Sequence, residues 1–328
     1  MPSLLDMPDV AMNLILKNSD LESIQNLRKS CRDLRNYIDD VRPETTLAVV
    51  DITLERNSVT FALSSTSSPD IIVSYRDAEK SCLLEWKTSE CESESRKQKS
   101  LSNSNFIDRA FKDLQILLDF QTSRVLESLC IQLVSLHLNF HNSFLEVLKS
   151  RKHLLNTREI YMNGQSLEQV LEILQYLNPS KLEYILIQVG GDQKAFNFSE
   201  ITMLEQWKCA KEVRLYSCEV DGYLEHFFHF ESVSIELNEL TIKMVLDLKE
   251  KFLCSPHMWY FSIDHENFNS LEQLKELFGE PFSAHYGDIW FFEISFGCQK
   301  VLQFRYLSRH IMFQRIDRKE VPESANVY

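Results

Sequence analysis

The chain has 328 residues, of which 44% are hydrophobic and 25% are charged, a balance typical of a globular protein with two or three folded units. Its net charge of −13 argues against non-specific nucleic-acid binding, which needs a basic surface, and its apolar runs fall far short of the ~20 residues of a membrane-spanning helix. With only seven glycines and none of the motifs GxGxxG, GxxxxGK[ST] or GxSxG, the composition also argues against nucleotide enzymes and α/β-hydrolases.

The cysteines indicate the compartment. Eight are present, scattered along the chain with no CxxC pair among them. Such spacing is typical of reduced thiols and predicts a cytoplasmic or nuclear protein. The first residues lack the basic segment and small-residue cleavage site of a secretory signal, so we expect none.

The first forty residues predict a small helical module. Pro8 fits the first turn of a helix, where its missing N–H costs nothing, and Asp20 is a suitable N-cap for the next helix. After Asp20, apolar residues recur at steps of three and four and form one stripe. The stripe consists of Leu21, Ile24, Leu27, Cys31, Leu34 and Ile38. Helices this few and short cannot bury all their apolar residues against one another.

A short β segment is predicted next. Residues 43–76 alternate β-branched and polar residues, which favours two or three antiparallel strands, and we assign 43–87 to this segment. Residues 88–105 are polar and almost free of apolar residues, so we expect a mobile loop there. The helical pattern FIDRAFKDLQILLDFQ then opens a larger unit at residue 106.

The larger unit, 106–328, shows a loose repeat from about residue 125. Six strand-like pieces carry an apolar–x–apolar pair, and helical patterns separate them at intervals of 20 to 31 residues. The pairs are Leu129 and Ile131, Ile160 and Met162, Ile185 and Ile187, Val213 and Leu215, Val233 and Ile235, and Phe261 and Ile263. This pattern favours parallel strands in a degenerate, leucine-rich-repeat-like α/β region, with an ordinary α/β sheet as the alternative.

The segments GDIWFFEIS and KVLQFRYLSRHIMFQRI predict closing antiparallel strands that cap an open sheet edge. The expected fold class is therefore α+β: an N-terminal helical module, a short antiparallel segment, the α/β repeat and this cap. Residues 300–320 hold six basic residues against two acidic ones, and we interpret them as a solvated strand face.

The opening module resembles an F-box. The family pattern has a Leu-Pro pair, an apolar helix, an Asp-Leu step and a basic third helix that contains cysteine. Met7 and Pro8 stand at the Leu-Pro pair, Asp20 and Leu21 form the step, and LRKSCRDLR supplies the last helix. The chain departs from the pattern with Ala11, Ser19 and Ser30.

The F-box resemblance, which covers residues 1–42, implies that a Skp-type adaptor covers the remaining apolar surface and links the chain to a cullin. We expect the adaptor-binding residues to be Leu5, Met7, Pro8, Met12, Ile15, Leu16, Leu21, Ile24, Leu27, Arg28, Cys31, Leu34 and Arg35. Arg28 and Arg35 would lie at the rim of the contact.

The larger unit resembles the FTH domain, which follows an F-box in a large nematode family. Its repeated apolar–x–apolar strands, MWYFSID and the closing strands that end in IMFQRID carry this resemblance. It implies a region that binds a protein substrate, and it supplies no catalytic residue.

No other motif predicts a catalytic, metal or cofactor site. Asp264, His265 and Glu266 are interpreted as a solvated loop, because adjacent side chains cannot all reach one ion. His226 and His229 lack a nearby acid or cysteine and are interpreted as packed or half-exposed residues. The sequence therefore favours a non-catalytic substrate receptor of a Skp–cullin–F-box type ubiquitin ligase. A non-ligase interaction scaffold is the alternative.

Overall fold

The computed structural model describes residues 4, 7–66, 69–79, 81–88, 97–102, 104–134, 138–189, 199–220, 223–268, 270–284, 287–294 and 299–328. The chain divides into two compact units, Met1–Leu182 and Glu183–Tyr328. This boundary falls inside the segment 106–328 that the sequence predicts as one domain.

Three short helices open the first unit: α1 Asp9–Lys17, α2 Leu21–Ser30 and α3 Arg32–Val41. The expected cap at Asp20 is confirmed, since its Oδ1 accepts a hydrogen bond from the Ser23 N–H at 2.7 Å. Cys31 separates α2 from α3 because its backbone is extended, with φ −153° and ψ 166°. Its Sγ accepts from the Leu34 N–H at 3.4 Å and so caps α3.

The core of this helical module includes a residue from outside it. Leu16, Ile24 and Ile38 form a buried cluster with Phe120, which directly follows helix α4 (Phe106–Asp119). The apolar stripe of α2 and α3 therefore packs partly against the end of α4, a contact that local periodicity cannot predict.

Within the described residues, the sheet of the first unit has the strand order β5-β4-β3-β2-β1-β6-β7. The strands are β1 Leu47–Glu55, β2 Ser58–Ser65, β3 Ile71–Ala78, β4 Ser81–Thr88, β5 Lys97–Ser102, β6 Leu126–Leu133 and β7 Thr157–Asn163. Neighbours from β1 to β5 are antiparallel, whereas β6 is parallel to both β1 and β7. The sheet is thus mixed, and the predicted β segment continues directly into the predicted repeat.

The prediction of a mobile loop over residues 88–105 is wrong in part. Lys97–Ser102 form β5, which pairs antiparallel with β4. Backbone hydrogen bonds to a neighbouring strand supply order that the composition of these polar residues does not signal. Residues 89–96 of that predicted loop lie outside the described residues.

Helices cover one face of this sheet. Helix α4 contacts β2, β3 and β4, and it also contacts α5 (Leu138–Ser150), which in turn contacts α6 (Leu167–Leu174). The core beneath them is rich in edge-to-face aromatic contacts, for example between Phe111 and Phe140 at 4.9 Å. Alternate strand residues point into this core, as period-two patterning predicts.

In the described residues of the second unit, the strand order is β8-β9-β10-β11-β15-β14-β13-β12. The strands are β8 Tyr184–Gln188, β9 Glu212–Glu219, β10 Ser232–Glu239, β11 Tyr260–Asn267, β12 Phe282–Ala284, β13 Gly287–Glu293, β14 Lys300–Leu307 and β15 His310–Asp317. Pairs from β8 to β11 are parallel, and the others are antiparallel.

The helices of the second unit are α7 Glu205–Cys209, α8 Ile242–Cys254 and α9 Leu271–Phe278. The connection between β9 and β10, where the sequence predicts a helix, contains a 3₁₀ turn at Leu224–Phe227. Phe227 and Phe230 pack edge-on against Trp207. In the described part of the chain, no helix combines the length and apolarity needed to cross a bilayer.

Candidate functional site

Helix α1 is anchored by its inner face. Pro8 precedes its first residue, Asp9 lies in the first turn and Lys17 in the last, where each charge complements the helix dipole. Met12 and Leu16 point into the chain, with exposed fractions of 2% and 1%. They fix the orientation of α1 in the module.

Four large apolar residues of this segment are exposed. Val10 is 81% exposed, Leu14 61%, Met7 45% and Ile15 37%. We call these four residues the outer face of α1: Val10 and Leu14 share its outward side, Ile15 lies at its flank and Met7 just before its start. A surface helix normally presents polar residues to water, so a helix with apolar residues on both its inner and outer faces has the character of one that packs on two sides.

Polar contacts hold α1 in place without covering its outer face. The Tyr37 hydroxyl on α3 donates to Asn13 Oδ1 at 3.1 Å. At the end of α1, Ser19 Oγ donates to the Ile15 carbonyl and Asn18 Nδ2 to the Leu14 carbonyl, both at 2.8 Å. Ser19, which departs from the F-box pattern, thus adds a second hydrogen bond to a carbonyl of the last turn that also accepts from the Asn18 N–H at 3.2 Å.

The structure divides the predicted adaptor-binding residues into two groups. The first group is buried in the chain's own core and cannot offer much contact surface: Met12, Leu16, Leu21, Ile24 and Leu34. Leu27 is only partly buried against the same core. The second group is exposed: Met7, Pro8, Ile15, Cys31 and Arg35. Leu5 lies outside the described residues.

The sequence predicts Arg28 at the rim of the adaptor contact, but in the structure its side chain is buried. Its guanidinium donates to both carboxylate oxygens of Asp39, at 2.6 and 3.0 Å, and lies 5.9 Å from the centre of the Phe120 ring. An arginine held by a two-point ion pair is a structural tie between α2 and α3. Arg35 remains exposed, and its Nε donates to the Arg28 carbonyl at 3.1 Å.

Sequence reasoning missed Val10 and Leu14, the two most exposed apolar residues of the outer face. They stand four positions apart and therefore share a side of the helix. The signal was present, since a helix that begins after Pro8 and buries Met12 and Leu16 must direct Val10 and Leu14 outward.

The basic segment 300–320 does form strands, β14 and β15, but parts of it are not solvated. Arg315 donates to the carbonyls of Phe252 and Ser255 and so satisfies carbonyls at the end of α8. Arg318 stays exposed, and its Nη1 lies 2.6 and 2.9 Å from the two carboxylate oxygens of Glu293.

The interpretation of Asp264, His265 and Glu266 as a solvated loop is wrong. They lie in β11, where Asp264 is exposed and His265 is 4% exposed. Alternation along a strand places these two side chains on opposite faces. His229 is also partly packed, with its Nε2 2.9 Å from the Trp207 carbonyl. Among the described residues, no group of three or more His, Cys, Asp or Glu side chains could hold a metal ion.

His265 predicts a pH dependence of stability. Both of its ring nitrogens are buried without a hydrogen-bond partner, and its ring packs beside Phe268 and Tyr306. Burial lowers the pKa of His265; Asp264 opposes this shift, while His310 and Arg309 add to it. The unfolded chain therefore binds a proton more readily, and stability falls as the pH drops from about 6.5 towards the lower pKa of the folded state.

His265→Phe tests this pH dependence, because it removes the proton-binding site and suits the aromatic surroundings. We expect the loss of stability between pH 7.5 and pH 5.5 to be smaller in the variant, as measured by urea unfolding. Equal losses in both proteins would contradict the assignment. His229, whose pKa burial also lowers, accounts for part of the dependence that remains.

Comparison with known proteins identifies two domains. The F-box domain family matches residues 4–46, and the FTH domain family matches residues 138–281. The chain is also 23% identical over 255 residues to F-box A protein 224 of Caenorhabditis elegans, a match that spans 76% of this chain and 62% of the relative. The chain therefore matches less than two thirds of the relative's length. No solved structure matches the chain.

The F-box match covers α1, α2 and α3, and the FTH match runs from the start of α5 to the end of α9. The FTH match is narrower than the predicted segment 106–328. Both resemblances noted in the sequence are confirmed: the chain carries an F-box domain that is followed by an FTH domain.

Proposed function

We propose that this chain is a substrate-receptor subunit of a Skp–cullin–F-box type ubiquitin ligase. The F-box at residues 4–46 would dock on a Skp-type adaptor, and the adaptor would connect the chain to a cullin. The α/β region would hold a protein substrate.

The outer face of α1 is the observation that carries this proposal. Its four apolar side chains are exposed although the opposite side of the helix is buried. Exposed apolar clusters of this kind are typical of protein interfaces, and an apolar helix face fits a groove between the helices of a partner. We infer that the adaptor covers the outer face of α1, with Pro8, Cys31 and Arg35 as further exposed contacts.

The buried residues of the F-box act beneath this surface. Met12, Leu16, Leu21, Ile24 and Leu34 hold the three helices in one arrangement, and the Arg28–Asp39 ion pair ties α2 to α3. A surface that is already ordered loses less conformational entropy on binding. Their contribution to adaptor binding would therefore be indirect.

In this proposal the chain supplies no reacting group. Its chemical contribution is proximity: a tethered substrate reaches a high effective concentration at the ubiquitin-charged enzyme. We propose that the alternating strands and helices from β6 to β11 form a degenerate repeat, with β12 to β15 as its cap, and that this region binds the substrate. A cytoplasmic or nuclear location is part of the proposal and is supported by the unpaired state of each described cysteine.

Purification of the tagged chain from cells tests the proposal. We expect a Skp-type adaptor and a cullin to co-purify with the wild-type chain and to be lost with Val10→Asp. The matched control is Val134→Asp, because Val134 is also a strongly exposed valine, at 67%, but lies far along the chain after β6. Recovery of both partners by the control and not by Val10→Asp supports the proposal. Adaptor without cullin would favour the interaction scaffold, and neither protein with the wild type would contradict both the adaptor and the ligase assignment.

A further inference from the structure

A cavity opens on the face of the first unit's sheet that points away from α4. It has a volume of about 230 Å³ and is lined by Ile72, Ser74, Arg76, Glu85, Trp86 and Lys87. Residues of β3 and β4 thus form a cavity that is large enough to hold the terminal group of a side chain.

The strand register explains why Ser74, Arg76, Glu85 and Lys87 meet. Tyr75 points towards α4, where its hydroxyl donates to Asp113 Oδ2 at 2.9 Å, so its neighbours Ser74 and Arg76 point to the other face. Across the strand pair, Ser74 stands opposite Glu85, and Lys87 stands one step along on the same face. The cavity therefore has Arg76 towards one end, Lys87 towards the other and the Ser74–Glu85 pair between them.

The charges in the cavity favour an anionic ligand. Glu85 is buried, with its side chain 9% exposed, and lies 3.5 Å from Arg76 Nη2, whose side chain is 50% exposed. A guanidinium has five N–H donors, so this pair leaves several donors of Arg76 available, and the exposed Lys87 ammonium adds a second positive charge. The cavity has an excess of one positive charge on a chain whose net charge is −13.

We propose that this cavity binds an acidic group, a carboxylate or a phosphate, carried by the protein substrate. The inference rests on the proposed function and names the class of substrate for it. Arg76 and Lys87 would each donate to the anion, the Ser74 hydroxyl would add a neutral hydrogen bond, and Glu85 would hold Arg76 in place. Charge-assisted hydrogen bonds of this kind are the stronger ones in proteins.

Three pools of fluorescent nonapeptides test the proposal on the full-length chain. Their flanking positions are random mixtures of Gly, Ala and Ser, and the central residue is serine, aspartate or phosphoserine. Anisotropy titrations are expected to show tighter binding of an acidic pool than of the serine pool. Preference for the phosphoserine pool alone identifies a phosphate, whereas equal binding of the aspartate pool identifies a carboxylate.

Substitutions at the cavity should change this binding in opposite directions. Arg76→Gln and Lys87→Met are expected to weaken binding of the acidic pool about tenfold each, as loss of a charge-assisted hydrogen bond implies. Glu85→Gln is expected to tighten binding of the acidic pool, because it removes a negative charge from the cavity. A purely structural role of Glu85 would not produce tighter binding. Lys112→Met, at an exposed lysine of α4, is the matched control and should have no effect.

Thermal unfolding of each variant shows that it is folded. Equal binding of the three pools by the wild type, or equal weakening by Lys112→Met and Lys87→Met, would overturn the proposal. Adaptor binding by the same proteins separates the two inferences. If the chain binds the adaptor but binds the three pools equally, only the acidic-ligand inference fails. If the chain prefers the acidic pools but does not bind the adaptor, the receptor assignment fails.

Discussion

Phe120→Ala is expected to lower the free energy of unfolding by about 3–5 kcal/mol, the range for truncation of a buried phenylalanine. Phe120 is 1% exposed and belongs to the cluster of Leu16, Ile24 and Ile38. The substitution would leave a cavity between α4 and the F-box helices, and it would also remove the ring on which the Arg28 guanidinium rests.

Urea unfolding of the full-length chain measures this effect. The matched control is Phe106→Ala, at the partly exposed first residue of α4, the helix that Phe120 follows, and we expect it to cost much less stability. We also expect weaker adaptor binding by Phe120→Ala, because a loosened module must be reordered before it binds. Equal destabilisation by the two substitutions would show that Phe120 does not support the F-box core.

Local patterns were sufficient to predict the elements that have a regular apolar period. The six apolar–x–apolar pairs all lie in strands, from Leu129 and Ile131 in β6 to Phe261 and Ile263 in β11. Asp20 caps α2 as its residue type suggests. The apolar period of a strand and the residue type of an N-cap can be recognised within a few consecutive residues, although the strands pair with partners far along the chain.

Features that depend on distant residues were not predictable. The polar residues Lys97–Ser102 form a strand because β4 offers them hydrogen-bond partners, not because they bury apolar surface. His265 is buried because it alternates with the exposed Asp264 along a strand that the sequence did not show to extend so far. Arg28 is buried because Asp39, on the next helix, neutralises its charge.

The candidate site was predicted as a segment but not as a surface. Motif resemblance identified an F-box over residues 1–42, and the family match lies at 4–46, yet the resemblance gave equal weight to residues on both sides of each helix. Which side remains exposed depends on Phe120 and α4, more than sixty residues further along the chain. Val10 and Leu14 consequently replace Leu16 and Leu34 as the residues expected to contact the adaptor.

The double substitution Val10→Asp with Leu14→Asp is expected to reduce adaptor affinity by about 100-fold or more. Apolar anchors at the centre of an interface often contribute about 2 kcal/mol each, and two such losses exceed the ~2.7 kcal/mol of a 100-fold change. The fold should be retained, because both side chains are largely exposed and surface substitutions change stability little. A substitution such as Leu16→Asp could not separate loss of the docking surface from loss of the fold, since it would place a charge in the core.

Calorimetric titration of the purified full-length chain with a purified Skp-type adaptor tests directly whether the outer face of α1 is the docking surface. We expect a clear binding isotherm for the wild type and for Val134→Asp, and an affinity lower by about 100-fold or more for the double variant, with an unchanged unfolding midpoint. Affinity of the folded double variant within about threefold of the wild type, a difference below 1 kcal/mol, would contradict this assignment of the docking surface.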